Sequence, residues 1–154
     1  MQYCTKCLFK AVVATPITFN KEGVCTGCLA SDEKNNIDWG HRESLFKDLT
    51  NQYRSKDGYD CILPVSGGKD SYFAAHVAKN LNLKALMVTY HGNNYLPEGE
   101  RNLNRMKDEF NFDHIIYRPS TEVTKKLNLL GFKMHGDMNR HNHAGMLTYP
   151  MQIA

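Results

Sequence analysis

The stretch CILPVSGGKDSYF, from Cys61 to Phe73, sets the strongest limit on how this chain can fold. An apolar run stops at Ser66, two glycines follow, and a charged pair opens a segment with helical spacing. Parallel strands need a crossover, usually a helix, so a strand that turns through glycine into a helix is the start of a parallel sheet. The pattern repeats along the chain. Apolar runs at residues 60–65, 84–90 and 113–118 alternate with three helical patterns. The first pattern aligns Ala74, Val77, Ala78 and Leu81; the second aligns Leu103, Met106 and Phe110; the third, capped by Ser120, aligns Val123, Leu127 and Leu130. The expected fold class is therefore α/β, a doubly wound parallel sheet with right-handed crossovers.

A different logic governs the amino-terminal part. Cys4 and Cys7 form one C-x-x-C pair, Cys25 and Cys28 a second, and 17 residues separate the pairs. So few apolar residues lie in this stretch that it cannot bury a core of its own. Four thiolates around one tetrahedral Zn2+ would hold it together and leave no open coordination position, so the expected metal is structural. A redox role for the C-x-x-C pairs is the competing assignment, but redox pairs seldom come doubled at a terminus. Cys61, inside a strand, reads as an inert core residue. Polar residues 31–36 (SDEKNN) read as a linker, and Trp39, Phe46, Leu49 and Tyr53 as the apolar stripe of a helix that Asp38 caps. The expected domains are a Cys4 module at 1–36, a linker helix within 37–58 and an α/β domain at 59–154.

Composition narrows the classes of function. With 42% hydrophobic and 23% charged residues the chain has an ordinary globular balance. No apolar run approaches the roughly 18 residues of a membrane span, and MQYCTKC lacks the features of a signal peptide, so a cytoplasmic protein without membrane contact is expected. Net charge is +3, and zinc on four thiolates would lower it further. No dense basic stripe is present, so nucleic acid is not an expected partner.

In a doubly wound sheet, ligands bind at the carboxyl ends of the strands, and the first strand-to-helix turn is the usual anion site. SGGKDS, Ser66 to Ser71, lies there. Gly67 and Gly68 allow close approach, the helix start presents amides without intrahelical partners, Ser66 and Ser71 add hydroxyls, and Lys69 adds a charge. A di- or triphosphate suits this set. Walker A chemistry does not, because Leu63 stands where its first glycine belongs and Asp70 where its serine or threonine belongs. The plainer alternative is a tight turn whose glycines only let helix pack on strand.

The segment from Phe132 to Ala154 contains His135, His141 and His143 with Asp137 and Arg140. Histidines alternating with polar residues suit a metal or a substrate pocket, and equally a surface loop. Of the remaining histidines, His41 and His114 read as surface residues and His76 as packed.

SGGKDS after an apolar strand is similar to the PP-loop of the ATP pyrophosphatase superfamily. The joint pattern YCTKC…ITFNKEGVCTGC, IDWGHRE and YDCILPVSGGKDS resembles the N-acetyl sugar amidotransferases, and the similarity continues through VTYHGN, GERNL, HGD and GMLTYPMQIA. The resemblance implies a PP-loop domain of the HUP-like type preceded by a zinc-ribbon-like module. It implies that Ser66, Gly67, Gly68 and Ser71 hold the phosphates of ATP, that Val65 belongs to the cofactor-binding set, that Lys69 neutralises charge, and that Asp70 helps hold Mg2+. Adenine would lie near the end of the second strand, from Val88 to His91 with Thr89 and His91 as binding residues, and His135 and Asp137 would join Lys69 and Asp70 as catalytic residues. The implied reaction adenylates the acetamido oxygen of an N-acetyl (diacetamido) sugar or nucleotide-sugar. Ammonia then displaces AMP to give an acetamidino sugar for surface polysaccharide such as lipopolysaccharide. Glutaminase and ammonia-channel proteins are the implied partners, with a homo-oligomer as a further one. Members of the family are longer and have more strands than the three legible here, which implies a fragment, an amino-terminal piece or one half of a split enzyme, with an open sheet edge either exposed or covered by another chain. Two other functions fit the motifs: a PP-loop tRNA thiolase, which commonly needs cysteines beyond the loop, and a non-catalytic zinc- and nucleotide-binding module.

Overall fold

The computed structural model describes residues 2–11, 17–92 and 95–154. They divide into two compact units, Met1–Phe46 and Lys47–Ala154, which meet inside a helix and not at residue 36 or 58.

The first unit is built from turns. Tyr3 and Lys10 form one antiparallel bridge, Phe19 and Cys25 another. The turn expected at residues 20–23 is present: the Asn20 carboxamide oxygen accepts from the amides of Glu22 and Val24, and Gly23 sits at φ 78°. Residues 31–36 are not a linker. Helix α1 runs over Thr26–Glu33 and continues as a 3-10 turn at Lys34–Asn36. The second cysteine pair causes this, because Cys25 is itself the N-cap and its sulfur accepts from the Cys28 amide. Helix α1 buries no side chain, so the polar run SDE meets no penalty there. Helix α2 covers Trp39–Gln52, and the Asp38 carboxylate caps it by accepting from the His41 amide at 2.8 Å. Its expected apolar stripe, Trp39, Phe46 and Leu49, is exposed, as is Tyr53 just beyond it.

The second unit is α/β, with strands β1 (Cys61–Pro64), β2 (Ala85–Tyr90) and β3 (Asp113–Tyr117) in one parallel sheet of order β1-β2-β3. Helices α3 (Lys69–Asn80) and α4 (Pro97–Phe110) are the crossovers, followed by α5 (Thr121–His135) and α6 (Arg140–Ile153). Central β2 is buried from Ala85 to Thr89, whereas edge strand β3 alternates between exposed and half-buried. That difference is the expected signature of central and edge positions.

Two right-handed steps in the same direction put α3 and α4 on the same face. There Val65, Ala75, Ala78, Met87, Leu103, Met106 and Phe110 form the core. Burial of each larger side chain contributes roughly 1.5–3 kcal/mol. The other face carries Tyr90 and Tyr117, paired in register and three residues out of phase with Met87 of the core and its partner His114. Helix α6 covers it. Tyr149 stacks on Tyr117 at 4.7 Å, and Gly145 passes so close to Tyr90 that a Cβ there would lie 2.4 Å from the ring. The sheet thus has helices on both faces.

Several sequence expectations need correction. The histidine-rich segment folds as the end of α5, a turn, and α6, although Gly145 and Pro150 are poor helix formers. Contact with the tyrosine face is what makes that helix worthwhile. On α5 the buried residue is Gly131, while Val123 and Leu130 are exposed. His76 is exposed, and His114 is partly buried. Cys61 is partly buried against the core, and burial raises its thiol pKa.

Asp60, just before β1, ties the strand ends together. Its carboxylate accepts from the amides of Ser55 and Lys84 and from Arg54, and its side chain is only 3% exposed. The Lys84 amide most of all, then the Ser55 amide and Arg54, overcome burial and hold its pKa below the ordinary aspartate value.

Candidate functional site

The four amino-terminal cysteines converge. Their sulfurs all lie within 4.8 Å of one another, with Cys4 to Cys28 at 3.9 Å and Cys7 to Cys25 at 3.8 Å. Four sulfurs each about 2.3 Å from a tetrahedral zinc would be about 3.8 Å apart, so the quartet is already close to that size. Backbone amides point at the sulfurs: Lys6, Cys7 and Cys25 at Cys4 (3.4, 3.5 and 3.2 Å), and Cys28 at Cys25 (3.4 Å). Burial works against the Cys4 thiolate, but these donors outweigh it and lower its pKa to about 6. Such N–H···S contacts are the outer-shell support a metal-bound thiolate needs. Leu8, directly after the first pair, takes the left-handed conformation (φ 60°) and donates its amide to the Cys4 carbonyl at 2.9 Å. The residues present fit a structural tetrahedral metal ion such as zinc.

The second constellation is the loop after β1. Ser66 donates its amide to Ser71 Oγ at 2.9 Å, and the two hydroxyls are 3.2 Å apart. Lys69 bonds to Asp70 at 2.9 Å, with both side chains 91% exposed. The two glycines differ in kind. Gly67 is at φ 77°, and a Cβ there would lie 3.1 Å from the Leu103 amide nitrogen and 3.2 Å from its Cα. Backbone geometry and packing on α4 together require glycine at that position. Gly68 has ordinary extended backbone (φ −82°, ψ 169°), and a Cβ would meet only Ser66 Oγ at 3.5 Å. Neither strain nor contact within the described residues asks for glycine there, and the space a Cβ would fill lies at the N-cap of α3. The first-turn amides of that helix have no intrahelical acceptors and lie at the positive end of its dipole.

Beside the loop lies a cavity of about 220 Å3, lined by Ser66 and Ser71 at one side and by Val88, Tyr90, Tyr95 and Met146 among others. Two hydroxyls facing an apolar and aromatic wall suit a ligand with one anionic and one flat apolar end. A larger cavity, about 720 Å3, opens at the amino ends of the strands, where Tyr59 donates to Asp113 at 2.6 Å. It lies far along the sheet from the loop and carries none of the loop chemistry.

Not all expected site residues meet at the loop. Val65 lines the cavity, but Thr89 is 1% exposed and its hydroxyl faces inward, bonding to the Val65 carbonyl (2.7 Å) and His114 (2.8 Å). His91 is turned to Glu100 (Nε2 to Oε1, 2.7 Å), and the Tyr95 ring stacks on it at 4.0 Å. Glu100 also accepts from Arg118 at 2.9 Å; the His91 bond chiefly, with Arg118, holds its pKa below the ordinary range despite burial. His135 ends α5, and Asp137 in the following turn accepts from the Asn139 amide; neither lines the loop cavity. His141 contacts the Met138 carbonyl at 3.2 Å, and His143 lies 3.4 Å from Asn139. Sequence reasoning missed Tyr95, Met146 and Leu147 as cavity residues. The last two belong to GMLTYPM, an apolar run whose chemistry says nothing until α6 is placed against the sheet.

Comparison with protein-family models and with curated proteins finds no match to this chain.

Proposed function

We propose that this chain binds ATP at the Ser66–Ser71 loop and serves an AMP-forming amidotransferase acting on an N-acetyl sugar or nucleotide-sugar. The observation that supports it most is Gly68, whose missing side chain leaves room at a helix N-terminus where the backbone does not need glycine. Gly67 alone would satisfy the bland alternative of a packing turn. With exposed Lys69 and Asp70, two hydroxyls and free first-turn amides, the loop offers what a polyphosphate and its Mg2+ need. The aromatic and methionine wall of the adjoining cavity suits a nucleobase.

The chemistry follows from leaving-group ability. An amide oxygen leaves poorly. When it attacks the α-phosphorus of ATP, pyrophosphate departs and the oxygen becomes part of an adenylate. Ammonia then adds at carbon, AMP departs, and loss of a proton gives the amidine. In this scheme Lys69 and the loop amides steady the charge that grows on the departing pyrophosphate, Ser66 and Ser71 orient it, and Asp70 holds Mg2+. The Cys4–Cys28 quartet holds zinc structurally and takes no part in the reaction. The correspondence with sugar amidotransferases rests on the sequence resemblance described above.

The test is pyrophosphate release from ATP, with a diacetamido sugar nucleotide or with bulk tRNA as acceptor. Release stimulated by the sugar nucleotide, and abolished by Asp70→Asn or Ser66→Ala with metal content unchanged, is the expected outcome. Stimulation by tRNA alone would move the assignment to a tRNA-modifying enzyme. Undiminished turnover in both variants would remove the phosphate role from the loop.

A further inference from the structure

Thr89 is a polar residue in the most buried strand of the molecule, inside the run Ala85–Thr89. Packing does not demand it, since valine has the same shape and the neighbouring β2 residues are apolar. Its hydroxyl touches two groups: the Val65 carbonyl at 2.7 Å and His114 Nε2 at 2.8 Å. A hydroxyl has one proton, and a carbonyl can only accept. Thr89 therefore donates to Val65, and the His114 ring must donate through Nε2–H to the Thr89 oxygen. That places a proton on Nε2 of His114, and burial, then the charge of Lys107, hold the pKa of the ring below the ordinary histidine value.

Position gives this relay its meaning. The β1–β2 ladder ends at Pro64 opposite Val88, and Val65 is the residue directly before the loop. The Val65 amide still donates to the Val88 carbonyl at 3.0 Å, and Thr89 takes up the Val65 carbonyl, the last backbone group before the loop. Farther along, Gly67 packs against Leu103 of α4. The loop is thus held at its root by one backbone bond to β2 and by a β2 side chain that is itself held by β3, and at Gly67 by α4. Gly68, Lys69 and Asp70 lie beyond those supports, where Lys69 and Asp70 are almost fully exposed.

We propose that Thr89 and His114 are positioning residues, a relay across all three strands that sets the direction in which the chain leaves β1 and so the placement of the loop amides. The proposal deepens the nucleotide assignment and rests on it for its functional consequence, but the relay acts on the loop whether or not a nucleotide is the ligand.

Amide hydrogen exchange of the full zinc-loaded chain without nucleotide, paired with titration by MgATP, tests it. Thr89→Val and His114→Leu should speed exchange over residues 65–71 about tenfold, the effect of one lost buried hydrogen bond, and weaken MgATP by a similar factor. Thr89→Ser keeps the hydroxyl, and His114→Gln keeps an N–H donor; both should restore wild-type exchange and affinity. Exchange over α4 serves as the fold control and should stay slow in all four. Uniformly faster exchange over loop and α4 alike in both Thr89→Val and His114→Leu, or loop exchange unchanged in both, overturns the proposal. So does failure of both conservative variants to rescue. If wild type does not bind MgATP while loop exchange still follows this pattern, the relay stands and the nucleotide assignment falls.

Discussion

The two compact units solve the same problem by opposite means. Among the described residues of Met1–Phe46 only Cys4 and Cys25 are buried, and both carry sulfur that faces the quartet. Lys47–Ala154 buries a contiguous set of apolar side chains, with Met87, Leu103 and Met106 fully enclosed. One unit is organised by ligand chemistry at four points, the other by periodic apolar contact over a whole sheet. A cysteine motif therefore fixes a few distances and leaves the chain between them free to choose its local form. Periodicity fixes elements and faces but says little about which side chains end up beside a loop.

The sharpest way to break this contrast is to take the metal away. Structural zinc in small modules contributes roughly 10–16 kcal/mol of apparent binding free energy. One equivalent per chain is expected by elemental analysis. Chelation at neutral pH should then collapse amide protection over Thr26–Glu33 while leaving β2 and α4 protected. Protection of α1 that survives chelation, with the four thiols of the quartet titratable in addition to Cys61, would mean that the first unit has some other source of order.

A smaller effect separates structural from functional glycine inside the second unit. Gly67→Ala forces a side chain into left-handed backbone against α4 and should destabilise the unit by about 1–3 kcal/mol. Gly68→Ala meets no clash and should leave the melting temperature unchanged or slightly raised. Yet it should weaken MgATP binding at least about tenfold, because the methyl group occupies the space at the helix start. Equal losses of stability in the two variants would mean that Gly68 too is there for packing.

Much of this was legible in the residues themselves. Strand and helix order, the capping roles of Asp38 and Ser120, the Asn20 turn and the core triplet Leu103, Met106 and Phe110 follow from spacing and are present. Three things were not legible, each for a physical reason. Helix α6 carries glycine and proline and depends on a tyrosine face contributed by β2, β3 and its own Tyr149, so local propensity argued against it. Thr89 and His91 lie at the expected strand end, but whether a side chain there turns inward or toward a cavity depends on partners on β1, β3 and α4. The stripe on α5 predicted burial of Val123 and Leu130, whereas contact with the α5–α6 turn selected Gly131, where a Cβ would lie 2.7 Å from the Asp137 carbonyl oxygen.

The finest distinction between the units is their response to acid. In the first, metal and protons compete for the same thiolates, so lowering pH releases the metal and unfolds the module as the cysteines take up protons. In the second, the relevant group is Asp60, whose folded pKa lies below its unfolded one. The unfolded chain then binds more protons in that range, so this contribution is fully present above the ordinary aspartate pKa of about 3.9 and is lost as pH falls through the folded value. Acid titration followed by exchange in α1 and in β2 should therefore show two transitions, with the amino-terminal unit opening first at mildly acid pH. Asp60→Asn should flatten the stability-versus-pH curve of Lys47–Ala154 at the acid end without moving the earlier transition. A single transition shared by both units, or an Asp60→Asn curve parallel to wild type down to the lowest pH, would show that their stabilities are not governed by separate chemistries.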